Sequence, residues 1–397
     1  MRAIVSGQVG VDKGPYLEAV KAQARARGFD LEVCHVGQMM YAEAPDVPAG
    51  RILNLPMGRL NTLRRAVFKE ILRTADRHEH VLVNTHATFR WKHGLFAAFD
   101  FDQMKSFKAD AYFTLVDNAE NVHQRLLRDH DIDHTLKDIM VWREEELLAT
   151  EILANALSGY GHFYMISRGR GAATTQTVYR LLFERSRKRA YLSFPMTHVT
   201  DLPATLAEID AFKRVMHEHF TCFDPADVDE YSLHMSAIQA MQEGRTTIEV
   251  IGAEGPMTLK TADVAQISGD IMGQIYARDF KMIDQSDMII SLIPQLPTGR
   301  PALSSGVERE LQHAFEGGKE VFVIWKARNA PSPFITETAT KVFADVIEAV
   351  EYFGGRGDAG IGRTKMKSQT PPSGGIPNQA PNPKEKNSKD EPPDAQF

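Results

Sequence analysis

The chain has 397 residues, of which 43% are hydrophobic and 25% charged, with a formal net charge of −6. That length predicts two or three domains, each able to bury a sizeable core, that balance predicts a globular protein, and the mild acidity excludes a broad nucleic-acid-binding surface. The two cysteines, Cys34 and Cys222, stand far apart and in no metal-ligand spacing, which excludes a disulfide framework and a cysteine-based zinc site and fits a reducing cytoplasm.

Taken in chain order, Ala3–Val5 reads as a short buried strand, followed by a glycine loop and a helix from about Pro15 to Arg27. A second strand covers Leu31–Val36, and a long amphipathic stretch runs from Leu60 to Asp76. Strands follow at His80–Asn84 and Ala111–Val116, then charged helices over Ala119–Arg128 and Leu136–Leu157. Phe163–Ile166 and a helix over Thr174–Arg185 close the first unit. After the basic junction Arg185–Arg189 the pattern restarts with a strand at Ala190–Phe194 and a helix over Leu206–His219. A poorly periodic middle contains Thr246–Ile251. A helix over Gly273–Gln285, a strand at Met288–Ile293, a helix over Gly306–Phe315 and a strand at Val321–Trp325 complete it. Strands separated by helices predict parallel βαβ units, hence an α/β fold with two parallel-sheet domains, residues 1–185 and 189–353. From Gly354 onward the chain holds seven of its 20 prolines and one aromatic, Phe397, and is expected to be a disordered tail, 354–397.

The loop Gly7-Gln8-Val9-Gly10-Val11-Asp12-Lys13-Gly14 follows the first strand and opens a helix, where a P-loop would sit. That motif needs G-x-x-x-x-G-K-[ST], because backbone N–H groups wrap the phosphates and a hydroxyl reaches magnesium. Gly7, Gly10 and Lys13 are in register, whereas Asp12 replaces the second motif glycine and Gly14 the hydroxyl. With Val83-Asn84-Thr85-His86 after the third strand and the helix carrying Arg125 and Arg128, residues 1–185 resemble the adenylate kinase family, its archaeal type in particular. Asn84 stands where that family has an Asp, and Arg128–His134 is acidic where its lid carries arginines. Phosphoryl transfer relies on cations, so the resemblance implies a degenerate nucleotide kinase that binds a nucleotide, with or without magnesium, through Gly7, Gly10, Lys13, Asn84 and Arg125. A residual kinase and a non-catalytic sensor are the alternatives.

In the second unit, Ser304-Ser305-Gly306 is a loop opening a helix after the carboxyl end of a strand, and such a loop offers N–H groups and hydroxyls to an anion. Glu310 lies four residues after Gly306, on the same helix face. Upstream is Ile275-Tyr276-Ala277-Arg278-Asp279. This half resembles the nucleoside 2′-deoxyribosyltransferase superfamily, which has a flavodoxin-like fold. The S-x-G-x-x-x-E spacing is similar to its branch that hydrolyses nucleoside 5′-monophosphates. The resemblance implies Glu310 as nucleophile at the anomeric carbon, Asp279 near base or sugar, and Ser304, Ser305 and Gly306 at the 5′-phosphate. Ser193, His198 and Tyr276 are further candidates for the ligand crevice. Residues 224–270 are longer than that family leads one to expect.

The function expected is therefore cleavage of the N-glycosidic bond of a (deoxy)nucleoside 5′-monophosphate, gated by a nucleotide in the first domain and suited to nucleotide-depleting defence. Deoxyribosyl transfer between bases is the alternative. Cleavage requires no cofactor and no metal, and the partners expected are a small-molecule nucleotide and further copies of the chain in a homo-oligomer. The start Met1–Gly7 has the pattern of neither a signal peptide nor an anchor. No apolar run reaches the ~18 residues that read as a bilayer span.

Overall fold

The computed structural model describes residues 1–48, 50–91, 94–130, 134–169, 172–196 and 199–356. The first half runs β1 (Arg2–Ser6), α1 (Lys13–Ala26), β2 (Leu31–His35), α2 (Val36–Glu43), α3 (Met57–Arg77), β3 (His80–Asn84), a hairpin of β4 (Thr88–Trp91) and β5 (Gly94–Ala97), α4 (Phe101–Phe107), β6 (Ala111–Val116), α5 (Ala119–His130), α6 (Leu136–Ser158), β7 (Phe163–Ser167) and α7 (Ala172–Phe183). The second half continues β8 (Arg189–Ser193), α8 (Pro203–His219), β9 (Thr221–Phe223), α9 (Tyr231–Gln242), a hairpin of β10 (Thr247–Gly252) and β11 (Gly255–Lys260), α10 (Thr261–Gln266) and α11 (Ser268–Asp284). It ends β12 (Met288–Ile293), α12 (Ser305–Glu316), β13 (Glu320–Trp325), α13 (Pro333–Thr336), β14 (Lys341–Phe343) and α14 (Val346–Arg356). The tail expected from residue 354 begins inside α14, and from 357 onward it lies outside the described residues.

The fold is α/β with two five-stranded parallel sheets, as the alternating pattern predicts. The first has the order β2-β3-β1-β6-β7 and the second β14-β13-β12-β8-β9. Read from β9, the second order is the flavodoxin-like one. β6 and β12 are buried along their whole length, as strands covered by helices on both faces must be, which is why they read as unbroken apolar runs. In each sheet the chain leaves two neighbouring strands in opposite directions, β1 and β6 in the first, β8 and β12 in the second. Ligand crevices open at the carboxyl ends of such pairs.

Both sheets belong to one compact unit, and a single apolar cluster runs from Leu17 and Phe113 through Tyr191 to Ile289. Along one side of the seam α7 lies on β9. Thr177 Oγ1 donates to the Cys222 carbonyl at 3.1 Å, and Arg180 Nη1 donates to the Phe220 carbonyl at 2.6 Å. At the free edge of β7 the Gln285 amide copies a strand: its Oε1 accepts from Met165 N at 2.9 Å, and its Nε2 donates to Met165 O at 2.9 Å. On the other side α6 is tied to α11 by Lys281–Glu151 and Lys137–Asp270, both at 2.6 Å. The poorly periodic middle becomes α9, the β10–β11 hairpin and α10. Its pattern was unreadable because β10 buries only Ile248 and Gly252 and leaves its other residues partly or wholly exposed.

Candidate functional site

The second crevice holds a pocket of about 360 Å³ whose lining includes Arg278 and Asp279 from α11 and Ser304, Ser305, Gly306 and Glu310 from the start of α12. Ser304 caps α12: its Oγ accepts from Val307 N at 3.2 Å, and an accepting hydroxyl keeps its own proton to donate. One turn further, Glu310 reaches across to β8. Its Oε1 accepts from the Tyr191 hydroxyl at 2.9 Å and its Oε2 from Ser193 Oγ at 2.6 Å. Tyr191 and Ser193 alternate along the strand and so face the same side. Ser291 Oγ on β12 donates to Ser193 Oγ at 3.2 Å, which completes a hydroxyl chain ending on the carboxylate. The opposite wall comes from Pro225, Val228, Asp229 and Tyr231, inside the stretch that matched no family expectation.

Burial and the Asp279 carboxylate push Glu310 up to about 8, against the pull of its two hydroxyl donors. Burial also lifts Asp279 to about 6, with Arg278 limiting the rise. Asp279 Oδ1 is buried and has no hydrogen-bond partner among the described residues. The crevice thus gathers Glu310, Asp279, Ser304, Ser305, Gly306 and Ser193. Tyr276 is elsewhere: it is 52% exposed, its ring lies 4.3 Å from that of Phe280, and it is not among the described lining residues. His198 lies outside the described residues.

The loop after β1 sits where a P-loop would hold phosphate, and the protein's own groups occupy it. Gly7 has φ +142°, and a Cβ there would meet the Leu115 carbonyl at 2.8 Å, so only glycine fits. Its N–H donates to Glu146 Oε1 on α6 at 3.1 Å. The same carboxylate accepts from Ala87 N at 2.7 Å, from Thr88 N at 2.8 Å and from Thr88 Oγ1 at 2.6 Å. Lys13 is buried and turns back to donate to the Gly7 carbonyl. Burial lowers it to about 8 although Glu146 raises it. Asp12 sits in the left-handed region at φ 61° and pairs with Arg168 at 3.0 Å. Asn84 Nδ2 is engaged by His35 Nδ1 at 2.9 Å. With Gly14 lacking a hydroxyl and Gly7 N–H taken, these residues do not fit a magnesium-bound triphosphate. Part of the acidic lid segment, residues 131–133, lies outside the described residues.

Arg125 joins this loop to the seam. Its Nη1 donates to the Gly10 carbonyl at 3.1 Å and to Asp117 Oδ2 at 2.7 Å. Arg143 Nη1 donates to the Asp117 carbonyl at 2.9 Å and to Glu230 Oε1 at 2.8 Å. Glu230 also accepts from Ala119 N at 2.8 Å and from Arg278 Nη1 at 3.4 Å. Burial pushes the Glu230 carboxyl up, but Arg143 and Arg278 outweigh it and hold it down at about 2. Sequence reasoning missed Tyr191, Glu146, Arg143 and Glu230. For Tyr191 a signal existed, since it stands two residues before Ser193 on one strand. Arg143–Glu146 reads as a solvated charge run, and nothing in it marks two of its members as buried.

The profile of a family described as AAA domain matches residues 6–143, the stretch with the loop after β1, and stops short of the second sheet. The match likens this stretch to P-loop kinase-type domains, which supports nucleotide binding there. Among solved structures, the chain is similar to a shikimate kinase from Bacteroides thetaiotaomicron at 10% identity, covering 47% of this chain and 97% of that one with a TM-score of 0.32. It is similar to a tunicamycin resistance protein from Deinococcus radiodurans at 13% identity, covering 46% and 94%, TM-score 0.29. A gluconokinase from Sinorhizobium meliloti 1021 gives 13% identity, 47% and 97%, TM-score 0.26. Comparison with curated proteins returns no match. Among the described residues, no helix is long and apolar enough to cross a membrane.

Proposed function

We propose that the second half hydrolyses the N-glycosidic bond of a (deoxy)nucleoside 5′-monophosphate. The observation that carries this is the Glu310 carboxylate, held by two hydroxyls from β8 in a pocket it shares with Asp279 and the start of α12. With the sugar over Glu310, the C1′–N bond breaks and its electrons leave with the base, which takes a proton from Asp279. The carboxylate neutralises or bonds to the positive C1′, and water then adds there. The Gly306 N–H and the Ser304 and Ser305 hydroxyls meet the 5′-phosphate at the helix start. Release of free base from a panel of nucleotides tests the reaction, and a second base added as acceptor separates hydrolysis from transfer.

Two results follow from the geometry. Between about 6 and about 8 the carboxyl pair carries one proton, held mainly by Glu310. The reaction draws on the minor form with the proton on Asp279 and Glu310 ionised. Both forms carry the same proton count, so kcat/KM is expected to be bell-shaped in pH with limbs near about 6 and about 8. Below the lower limb both groups are protonated and the nucleophile is lost. Above the upper limb both are ionised and the acid is lost. A profile flat from pH 5 to 9 removes the pair. Changing Ser304 and Ser305 together to Ala is expected to raise KM for nucleotides by roughly tenfold or more, the worth of one charge-assisted hydrogen bond, and to leave free nucleosides little affected. Equal effects on both substrates would instead favour the transferase reading.

The first half is proposed to gate this site. A nucleotide phosphate entering the loop after β1 has to displace Glu146, and Arg143 lies one turn away on the same helix. From Arg143 the contacts run through Glu230 to Arg278 in the pocket wall.

A further inference from the structure

Two buried hydroxyls stand behind Glu310. β8 and β12 run parallel, and their register sets Ser193 directly beside Ser291. Both residues have 0% exposure. β12 is otherwise apolar from Met288 to Ile293. Ile289 and Ile293, two places either side of Ser291 and so on its face of the sheet, belong to the main apolar cluster. A buried hydroxyl costs free energy unless it is hydrogen-bonded, so packing alone disfavours a serine at this point of a core strand. Neither serine is among the described residues that line the pocket.

The bonding pattern gives the pair a direction. With Glu310 ionised, Ser193 Oγ spends its one proton on Glu310 Oε2 at 2.6 Å, so the contact to Ser291 at 3.2 Å is made by the Ser291 proton. Among the described residues the Ser291 hydroxyl bonds to Ser193 alone. A hydroxyl that accepts on one side and donates on the other is polarised, and its outgoing bond is strengthened. The chain therefore presents its positive end to the carboxylate and favours the ionised form. It acts against burial and against Asp279 from α11, both of which favour the protonated form. The other titratable or charged groups around Glu310 are Tyr191 from β8, Arg278 from α11, and Asp229 and Tyr231 from the opposite wall.

We propose that Ser291, acting through Ser193, is a positioning residue: the pair holds the Glu310 carboxylate in place and keeps it ionisable while touching no substrate. Its catalytic meaning rests on the reading of Glu310 as nucleophile. Ser193, expected from the sequence at the ligand, then serves from behind the carboxylate. Ser193→Ala is expected to lower kcat about tenfold, the worth of one hydrogen bond to a charged group, and Ser291→Ala roughly threefold, with KM changed by less than about twofold in both. The double variant should be no slower than Ser193→Ala, because Ser291 acts only through Ser193. A second readout needs no substrate. The pH midpoint of the Glu310 carboxyl band in infrared difference spectra, assigned by its loss in Glu310→Gln, should rise in Ser193→Ala and rise less in Ser291→Ala. An unmoved midpoint in Ser291→Ala, additive losses in the double variant, or a larger effect on KM than on kcat overturns the assignment. If the wild type releases no base, the glycosidase reading fails, and the infrared midpoints still decide whether the pair serves Glu310. Either single variant decides by its midpoint should the other misfold.

Discussion

Glu310→Gln is expected to abolish release of base from nucleoside monophosphates while the chain stays folded. The amide keeps the shape of the side chain, and its oxygen still accepts from one hydroxyl of β8. Its nitrogen cannot accept from the other, and the group cannot neutralise positive charge at C1′. Loss of an essential catalytic carboxylate costs on the order of 3 kcal/mol or more of barrier, hundreds-fold in rate. Stability should hold or rise, because burial and Asp279 push this carboxyl up to about 8, so the fold holds it protonated at neutral pH at a cost in free energy that the neutral amide escapes. Chromatographic assay of free base beside a melting curve checks both halves of this result. Near-normal turnover removes Glu310 from the reaction.

The second large effect concerns stability. Glu230→Gln should destabilise the chain by about 3–5 kcal/mol, the cost of breaking a buried ion pair from one side. The reason is local: the carboxylate is fully buried and accepts from both Arg143 and Arg278, so its removal leaves two buried guanidiniums with no anion between them. The pH dependence has a definite sign. A carboxyl held at about 2 in the fold stabilises fully above the ordinary value of about 4.3, and that contribution disappears as pH falls through 2. Urea melts of wild type and variant at pH 7 and pH 3 should therefore converge toward the acid side. A difference under about 1 kcal/mol at pH 7 would show that the pair is not structurally important.

Most of the architecture could be read from the sequence, for physical reasons that also explain the gaps. β1, β3, β6, β12 and β13 are covered on both faces, and their continuous apolar runs announce them. The hairpin β4–β5, the strand β9 and the helices α9 and α10 are short or half exposed, and their periodicity is too weak to read. The pocket in the second half was partly legible because Ser304, Gly306 and Glu310 lie within two turns of one helix, where spacing alone fixes their relation. Tyr191 reaches Glu310 across 119 positions of sequence, and such contacts leave no local trace. The loop after β1 shows the opposite limit. Its glycines and Lys13 could be seen to fit a phosphate, but only the fold reveals that Glu146, arriving from α6, already sits there.

The seam has a practical consequence for dividing the protein. A fragment ending near residue 185 would expose the apolar side of α7 and leave Arg143 and Arg125 without Glu230 and Glu254. A fragment beginning near 189 would bury Glu230 with only Arg278 beside it, and Gln285 would lose the strand edge that it closes. The two sheets look interchangeable on paper, yet each supplies counter-charges that the other has already buried. Expression of either piece alone should give insoluble material, and the two pieces made together in one cell should recover each other, as the halves of a split protein do.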